Sequence, residues 1–400
     1  MKNIRFTPSI FLLTVSLIFL TACQAQQQEP IEPGGNRIED YSVQIEGKRI
    51  GLMVNQASVI NHKNLVDTLL ALNINIAKIF TPEHGFRGNT DAGASVTDES
   101  YSEKGIPVIS LYGNKHKPAN EDLAAIDIMI FDLQDVGVRF YTYISSLHYI
   151  MEACARKGIP LLVLDRPNPN GHYIDGPVLK DEFRSFVGMH PVPIVYGMTI
   201  GEYAQMINGE YWLPDSIQCD LEVIRCKNYS HTAFYSLPVA PSPNLKNMAS
   251  IYLYPSTCLF EGTVVSEGRG TEAPFQLIGH PDYSDQHLSF IPKTIVGASM
   301  DPKFKGELCY GVDLRSIPLD SLRSWNSIRL EYLIDFYNDL QLGEDFFTDY
   351  FNLLAGTDTF REQIIKGLGS EEIQRSWKGE LEGFKKIRAK YLLYPDFESE

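Results

Sequence analysis

From Arg49 to Asp165 the chain alternates strand-length apolar runs with stretches of helical spacing, and this alternation restricts the fold more than any other feature. Residues 50–54, 74–80, 107–111, 126–131 and 160–164 have the length and composition of strands buried on both faces. Between them Leu65, Leu69, Leu70 and Leu72, and later Ile144, Leu147, Ile150, Met151 and Cys154, recur at helical spacing. Strands joined by helices run parallel with right-handed crossovers, so the expected class is α/β around a parallel sheet.

In such sheets ligands bind beyond the carboxyl ends of the strands. Polar residues collect at that edge: Asn55 and Gln56 after the first strand, Glu83 and His84 after the second, Asp132, Asp135 and Arg139 after the fourth, and Asp165 and Asn168 after the last. The opposite edge carries ordinary helix ends, such as Arg156-Lys157-Gly158. Neither a Gly-x-Gly-x-x-Gly turn after the first strand nor a Gly-Lys-Ser/Thr phosphate loop is present, which argues against dehydrogenase and kinase chemistry.

Beyond about residue 200 the pattern changes. Residues 199–208 predict a helix capped by Thr199 with Glu202 three residues on. Residues 221–225 and 310–314 predict strands, and 330–340, 359–368 and 371–394 predict helices. The expected organisation is a first α/β domain over residues 41–198 and a smaller one over 199–400. Fifty acidic against 35 basic residues give a net charge of −15, which repels phosphate backbones, so nucleic acid is not an expected partner.

The N-terminus has the form of a processing signal: Lys2 and Arg5, an apolar stretch from Ile10 to Leu20, then Leu20-Thr21-Ala22-Cys23. Leu-Thr-Ala-Cys is similar to a bacterial lipobox, which makes residues 1–22 a signal peptide and Cys23 the lipidated N-terminus of the mature chain. Residues 23–40, rich at first in Gln, Glu, Pro and Gly, then form an expected flexible tether. The expected location is the cell envelope, at the periplasm or outer membrane, with the membrane as a partner through that lipid. The other cysteines, Cys154, Cys219, Cys226, Cys258 and Cys309, include no Cys-x-x-Cys pair, and Cys219 and Cys226 are expected to be buried rather than bridged.

Residues 260–275 hold three carboxylates, one guanidinium and three glycines: Glu261, Glu267, Glu272, Arg269, Gly262, Gly268 and Gly270. Carboxylates crowded beside an arginine repel one another and lose solvation, a cost usually met where a polar ligand is bound or transformed. The segment from Thr81 to Gly88 repeats these ingredients with Glu83, His84 and Arg87. Two carboxylates on opposite walls of a cleft meet the needs of glycosidic bond cleavage, one protonated to assist the leaving oxygen and one charged. Glu83 and one of Glu261, Glu267 or Glu272 supply such a pair. Arg87, Arg139 and Arg269 are candidates for gripping a substrate carboxylate, and Tyr143 for stacking on a sugar ring. No His-x-His or His-Glu-x-x-His spacing points to a metal, and no cofactor is expected. A Gly-x-Ser-x-Gly elbow is missing too, against a serine hydrolase.

Four segments in order carry a resemblance: Thr81-Pro82-Glu83-His84-Gly85-Phe86-Arg87-Gly88, the run from Asp132 to Tyr143, Asp165-Arg166-Pro167-Asn168-Pro169, and Phe260-Glu261-Gly262-Thr263 leading to Ser266-Glu267-Gly268-Arg269-Gly270-Thr271. Together they resemble the exo-β-N-acetylmuramidase family of NamZ type, from about Gly51 to the C-terminus. The resemblance implies a glycoside hydrolase of peptidoglycan recycling that removes β-1,4-linked N-acetylmuramic acid from the non-reducing end of muramyl saccharides. It implies a Rossmann-like parallel-sheet domain, a smaller α/β domain with C-terminal helices, and a cleft between the two. By the same resemblance Glu83 is the catalytic glutamate and the 267–271 stretch the opposing wall, with Glu267 the expected second acid. His84, Arg87, Asp132, Asp135, Arg139, Tyr143, Asp165, Asn168, Glu261, Arg269 and Glu272 are the expected substrate-binding residues. The competing expectation is a lipoprotein that binds wall saccharides without cutting them.

Overall fold

The computed structural model describes residues 29–83, 85–87, 99–101, 105–113 and 115–399. Cys23, the signal segment and His84 lie outside them. Residues 31–400 pack as one compact unit.

The strands form where the apolar runs predict them. They are β1 (Arg49–Val54), the short pair β2 (Val59–Ile60) and β3 (Lys63–Asn64), β4 (Asn75–Thr81), β5 (Glu99–Tyr101), β6 (Ile106–Ser110), β7 (Ile128–Asp132), β8 (Leu161–Leu164) and β9 (Leu221–Ile224). Apart from β2 and β3 they make one seven-stranded sheet in the order β5-β6-β4-β1-β7-β8-β9. All neighbours are parallel except β5, which runs against β6. The chain leaves β1 toward β4 and β6, then returns to β7 on the other side of β1, so the topological switch point lies between β1 and β7. That is where an open sheet of this type opens a crevice.

Helices cover both faces. Ile50, Leu52 and Val54 of β1 join a core with Tyr41 and Ile45 of α1 (Ile38–Ile45) and Leu65, Val66 and Leu69 of α2 (Leu65–Ala71). Met53 points the other way, into the larger core with α3 (Tyr143–Lys157) and α4 (Ile200–Gly209). This alternation is the period-two geometry of a strand. Helix α3 stops at Gly158, whose φ of 63° is left-handed, with Arg156 and Lys157 in its last turn. Helix α4 starts with the reciprocal Thr199–Glu202 capping box.

The crossover through α4 delivers β9 beside β8, so the large sheet continues past the boundary expected at residue 198 to Ile224. The tether expectation also needs correction. Glu32 and Lys227 exchange backbone hydrogen bonds at 2.8 and 3.1 Å, and Gly34 N donates to Asp165 O at 2.8 Å, so residues 31–40 belong to the folded body. Gly34 permits this approach, because a Cβ there would lie 2.1 Å from Ile224 O.

Past the sheet comes α5 (Met248–Thr257), with Pro255 inside it. Proline leaves the carbonyl four residues back without its helical donor, and Asn170 Nδ2 supplies one to Ile251 O at 3.2 Å. A small antiparallel sheet follows, with β10 (Leu277–His280), β11 (Ser289–Phe290) and β12 (Cys309–Asp313) in the order β10-β12-β11. The remaining helices are α6 (Leu319–Arg323), α7 (Glu331–Leu340), α8 (Tyr350–Ala355), α9 (Thr359–Ile365), α10 (Ser370–Ser376) and α11 (Lys378–Arg388). The single helix expected over 371–394 is broken at Trp377, which is buried and donates from Nε1 to Asp175 at 2.9 Å. All five described cysteines are free and buried. Among the described residues no helix is long and apolar enough to cross a membrane.

Candidate active site

Glu83 stands just past β4, held there by Pro82 and the buried end of the strand. Thr142, at the start of α3, donates from Oγ1 to Glu83 Oε2 at 3.0 Å. The segment reaching Thr142 is fixed first. Gly137 turns with φ of 77°, where a Cβ would meet the Asn168 amide at 2.3 Å. The hydroxyls of Tyr141 and Tyr143 then both donate to Pro241 O, at 2.9 and 3.2 Å, while Asn55 Nδ2 donates to Tyr143 Oη at 2.7 Å. Groups following β1, β4 and β7 thus meet beside the switch point. There Glu83, Thr142, Tyr143, Ser242, Tyr254 and Arg269 line one small cavity of about 50 Å³, well below the volume of a whole-ligand site and enough for a few substrate atoms.

Arg269 is also a wall of a second cavity, lined by Glu261, Glu267, Lys303 and Tyr350. Its Nε donates to Glu261 Oε1 at 2.8 Å, its Nη2 lies 2.5 Å from the same oxygen, and Glu267 Oε1 is 3.5 Å from Nε. Lys303 Nζ donates to the carbonyls of Phe260 and Val265 at 2.7 and 2.9 Å and to Glu267 Oε2 at 3.2 Å, so one ammonium gathers the acidic loop around itself. Gly268 and Gly270, with φ near 80°, make the turns that bring Glu267 and Arg269 to the same side. Burial raises the Glu261 carboxyl above its usual range, Arg269 opposes this and Glu267 reinforces it. Burial pulls Arg269 down, but Glu261 and Glu267 outweigh it and hold the guanidinium above its usual value. Burial likewise raises the Tyr350 phenol, with further pushes from Glu261 and Glu83. Both carboxylates therefore act on one hydroxyl, although they line different cavities.

The structure brings together Glu83, Tyr143, Glu261, Glu267 and Arg269 from the expected set. Glu272 faces solvent, 3.6 Å from Lys246. Arg87 is exposed and acts on Tyr101 instead. Four charged residues of the polar strand edge turn out to be scaffold. Asp132 is fully buried in a bidentate pair with Arg166, at 2.5 and 2.8 Å. Asp135 receives the Tyr196 hydroxyl and the Gly137 N–H, and burial raises it to about 6. Arg139 donates to the carbonyls of Pro177, Val192, Leu354 and Ala355, and burial lowers it to about 9. Asp165 accepts from Thr199 Oγ1 and Gly201 N, both at 2.8 Å, and so caps α4. Asn168 is buried too, donating to Met198 O at 2.8 Å and accepting from Asn170 N. Asp132, Asp165 and Asn168 spend their polar atoms on these partners, whereas Asp135 Oδ1 and Arg139 Nε are buried without a hydrogen-bond partner among the described residues.

Lys303, Tyr254, Phe275 and Tyr350 were not legible as site residues. Lys303, Tyr254 and Tyr350 come from otherwise ordinary stretches and reach the site only through packing, while Phe275 closes the acidic segment and lies 5.1 Å under the Arg269 guanidinium. Thr142 had a signal, its place within the Asp132–Tyr143 segment.

Comparison with known proteins assigns this architecture. Residues 50–249 match the model of the N-terminal part of exo-β-N-acetylmuramidase NamZ, and residues 252–394 match that of its C-terminal part. The chain is 42% identical over 380 residues to the peptidoglycan β-N-acetylmuramidase NamZ of Bacillus subtilis strain 168, covering 89% of each protein. Two crystal structures of DUF1343 family proteins from Bacteroides fragilis NCTC 9343 superpose on it. One has a TM-score of 0.85 and 46% identity, over 92% of this chain and 99% of the other. The second has a TM-score of 0.77 and 28% identity, over 91% and 99%. The similarity is to a catalyst and lends nothing to the binding-lipoprotein expectation. The chain belongs to the exo-β-N-acetylmuramidase NamZ family and is a glycoside hydrolase.

Proposed function

We propose that this protein releases β-1,4-linked N-acetylmuramic acid from the non-reducing end of peptidoglycan fragments, in a cleft between the sheet domain and the smaller α/β region. The observation that carries this reading is the shared cavity of Glu83 and Arg269, in a chain of this family. Glu83 gives its proton to the leaving glycosidic oxygen as the bond from the sugar's anomeric carbon breaks; water adds its hydroxyl to that carbon, and its remaining proton goes back to the carboxylates and restores the acid. Glu267, ion-paired to Lys303 and Arg269, is the charged partner. Arg269 Nε and Nη2 are engaged by the acidic loop, and Nη1 reads the lactyl carboxylate that distinguishes muramic acid from glucosamine. The protein works in the cell envelope, anchored by lipid on Cys23.

The test is product release from N-acetylmuramyl-β-1,4-N-acetylglucosamine. Wild type frees N-acetylmuramic acid, and Glu83→Gln lowers turnover by about 10²-fold or more with its melting temperature retained. Unchanged turnover in that variant would remove Glu83 from the chemistry.

A further inference from the structure

Outside the Glu83 cavity lies a group of aromatic rings that the catalytic reading leaves unused. Tyr112 beyond β6, His116, Tyr149 on α3 and Phe186 come together, all only partly buried, and none of them packs into the hydrophobic cores. The His116 and Phe186 rings are 4.1 Å apart between centroids and tilted by 31°. Tyr149 lies nearly parallel to both, at 17° and 19°. Tyr112 meets His116 edge-on. Core aromatics in this protein mostly meet edge to face, as Phe140 and Tyr254 do, whereas these three rings share an orientation and keep accessible area.

Their position follows from α3. The helix begins beside Glu83, and one turn on Ser145 Oγ donates to Phe186 O at 2.7 Å, which fixes the Phe186 loop to the site. Tyr149 is a further turn along, about 10 Å from Thr142 by helical rise. Burial lowers His116 below its usual value while the Glu83 carboxylate pushes it up, so the ring is within electrostatic reach of Glu83. Among the described residues nothing hydrogen-bonds His116 Nδ1. The lowered pKa favours the neutral imidazole, whose flat face can stack. None of the four rings lines the small cavity, so they suit the part of a substrate left outside it.

We propose that Tyr112, His116, Tyr149 and Phe186 form the aglycone subsite, where the pyranose ring following the scissile bond lays its C–H face against the outside of the His116–Phe186 stack. The inference rests on the exo-muramidase reading and adds the residues that hold the leaving saccharide.

Two substrates separate the claims: N-acetylmuramyl-β-1,4-N-acetylglucosamine, and N-acetylmuramyl β-fluoride, whose leaving group has no ring. His116→Ala and Phe186→Ala should each lower kcat/KM on the disaccharide by about tenfold, mainly through KM, and leave fluoride hydrolysis within about twofold. His116→Phe, which keeps a flat ring, should restore most of the disaccharide rate. Equal losses on both substrates, or none on the disaccharide, would overturn the subsite. Wild-type protein inactive on both substrates would instead overturn the muramidase reading beneath it.

Discussion

Two arginines, one buried and one half-buried, show how far a residue's type leaves its role undetermined. Arg139 and Arg269 both stand within two residues of a glycine, in motifs rich in acids. Arg139 ends among four backbone carbonyls with no carboxylate, so its charge is spent on joining the Pro177 and Val192 stretch to the end of α8. Arg269 ends between two carboxylates and two cavities. The chain alone offered both as carboxylate grips, because the partner carbonyls of Arg139 are up to 216 residues away and carry no sequence signal. The two should separate in one experiment. Arg269→Ala should shrink the preference for muramic over glucosamine substrates by about tenfold or more, the loss expected for one charge-assisted contact. Arg139→Met should leave that preference intact and destabilise the fold by about 3 kcal/mol, since buried acceptors lose their donor. Comparison of kcat/KM ratios with melting curves decides it, and an unchanged preference in Arg269→Ala rules out lactyl recognition by this residue.

Elements were far more legible than roles. Strands β1, β4, β6, β7 and β8 fall within two residues of their apolar runs, because a parallel strand buried on both faces must be apolar at nearly every position. The polar strand ends were equally visible, yet buried Asp132 and Asp165 stabilise loops and a helix terminus there, and composition does not distinguish that task from ligand binding. The acidic loop was visible as chemistry but not as packing. Gly262 is not left-handed and its function is proximity: a Cβ would lie 2.4 Å from Phe351 Cα and 2.7 Å from Phe351 N. Helix α8 therefore rests directly on the loop, and Thr348 N donates to Gly262 O at 2.9 Å. Gly262→Ala must push α8 away, and because Tyr350 on α8 lines the Glu267 cavity, the displacement reaches the site. The expected outcome is a loss of about 1–3 kcal/mol with a lower kcat. Gly379→Ala, where a Cβ meets nothing, is the control and should change neither. A Gly262→Ala protein with wild-type stability would show that the contact yields without cost.

At the scale of the whole molecule Asp165 is the point where distant parts of the chain are joined. Its main-chain oxygen receives Gly34 N from the N-terminal segment, and its carboxylate receives Thr199 and Gly201 from α4 and the Tyr394 hydroxyl, at 2.5 Å, from the C-terminal end. Burial raises this carboxyl to about 6 from 3.8, with Glu202 adding to the rise and the Tyr394 hydrogen bond opposing it. Asp135, in the loop after the neighbouring strand β7, is raised to about 6 for the same first reason. A carboxyl whose folded pKa lies above its unfolded one binds protons more tightly when folded. The native state then holds more protons between about pH 4 and 6, and stability falls as pH rises through that window. About two pH units correspond to roughly 3 kcal/mol for each group. The opposite sign applies to Asp313 and Asp396, held below their usual range by Arg315 and Arg388 respectively, whose contributions are lost on acidification. Stability should therefore peak on the acid side of neutrality, decline toward pH 6.5, and collapse only in stronger acid. Melting temperatures taken from pH 4 to 7 test this, and Asp165→Asn isolates its source. The variant is expected to melt lower throughout, since an amide cannot accept from all four donors, Thr199, Gly201, Tyr394 and Arg166 N, but with a visibly shallower decline between pH 4.5 and 6.5. If its slope matches that of wild type, Asp165 is charged in the folded protein across the whole range, and the joint is held by hydrogen bonds to a carboxylate at no proton-linked cost.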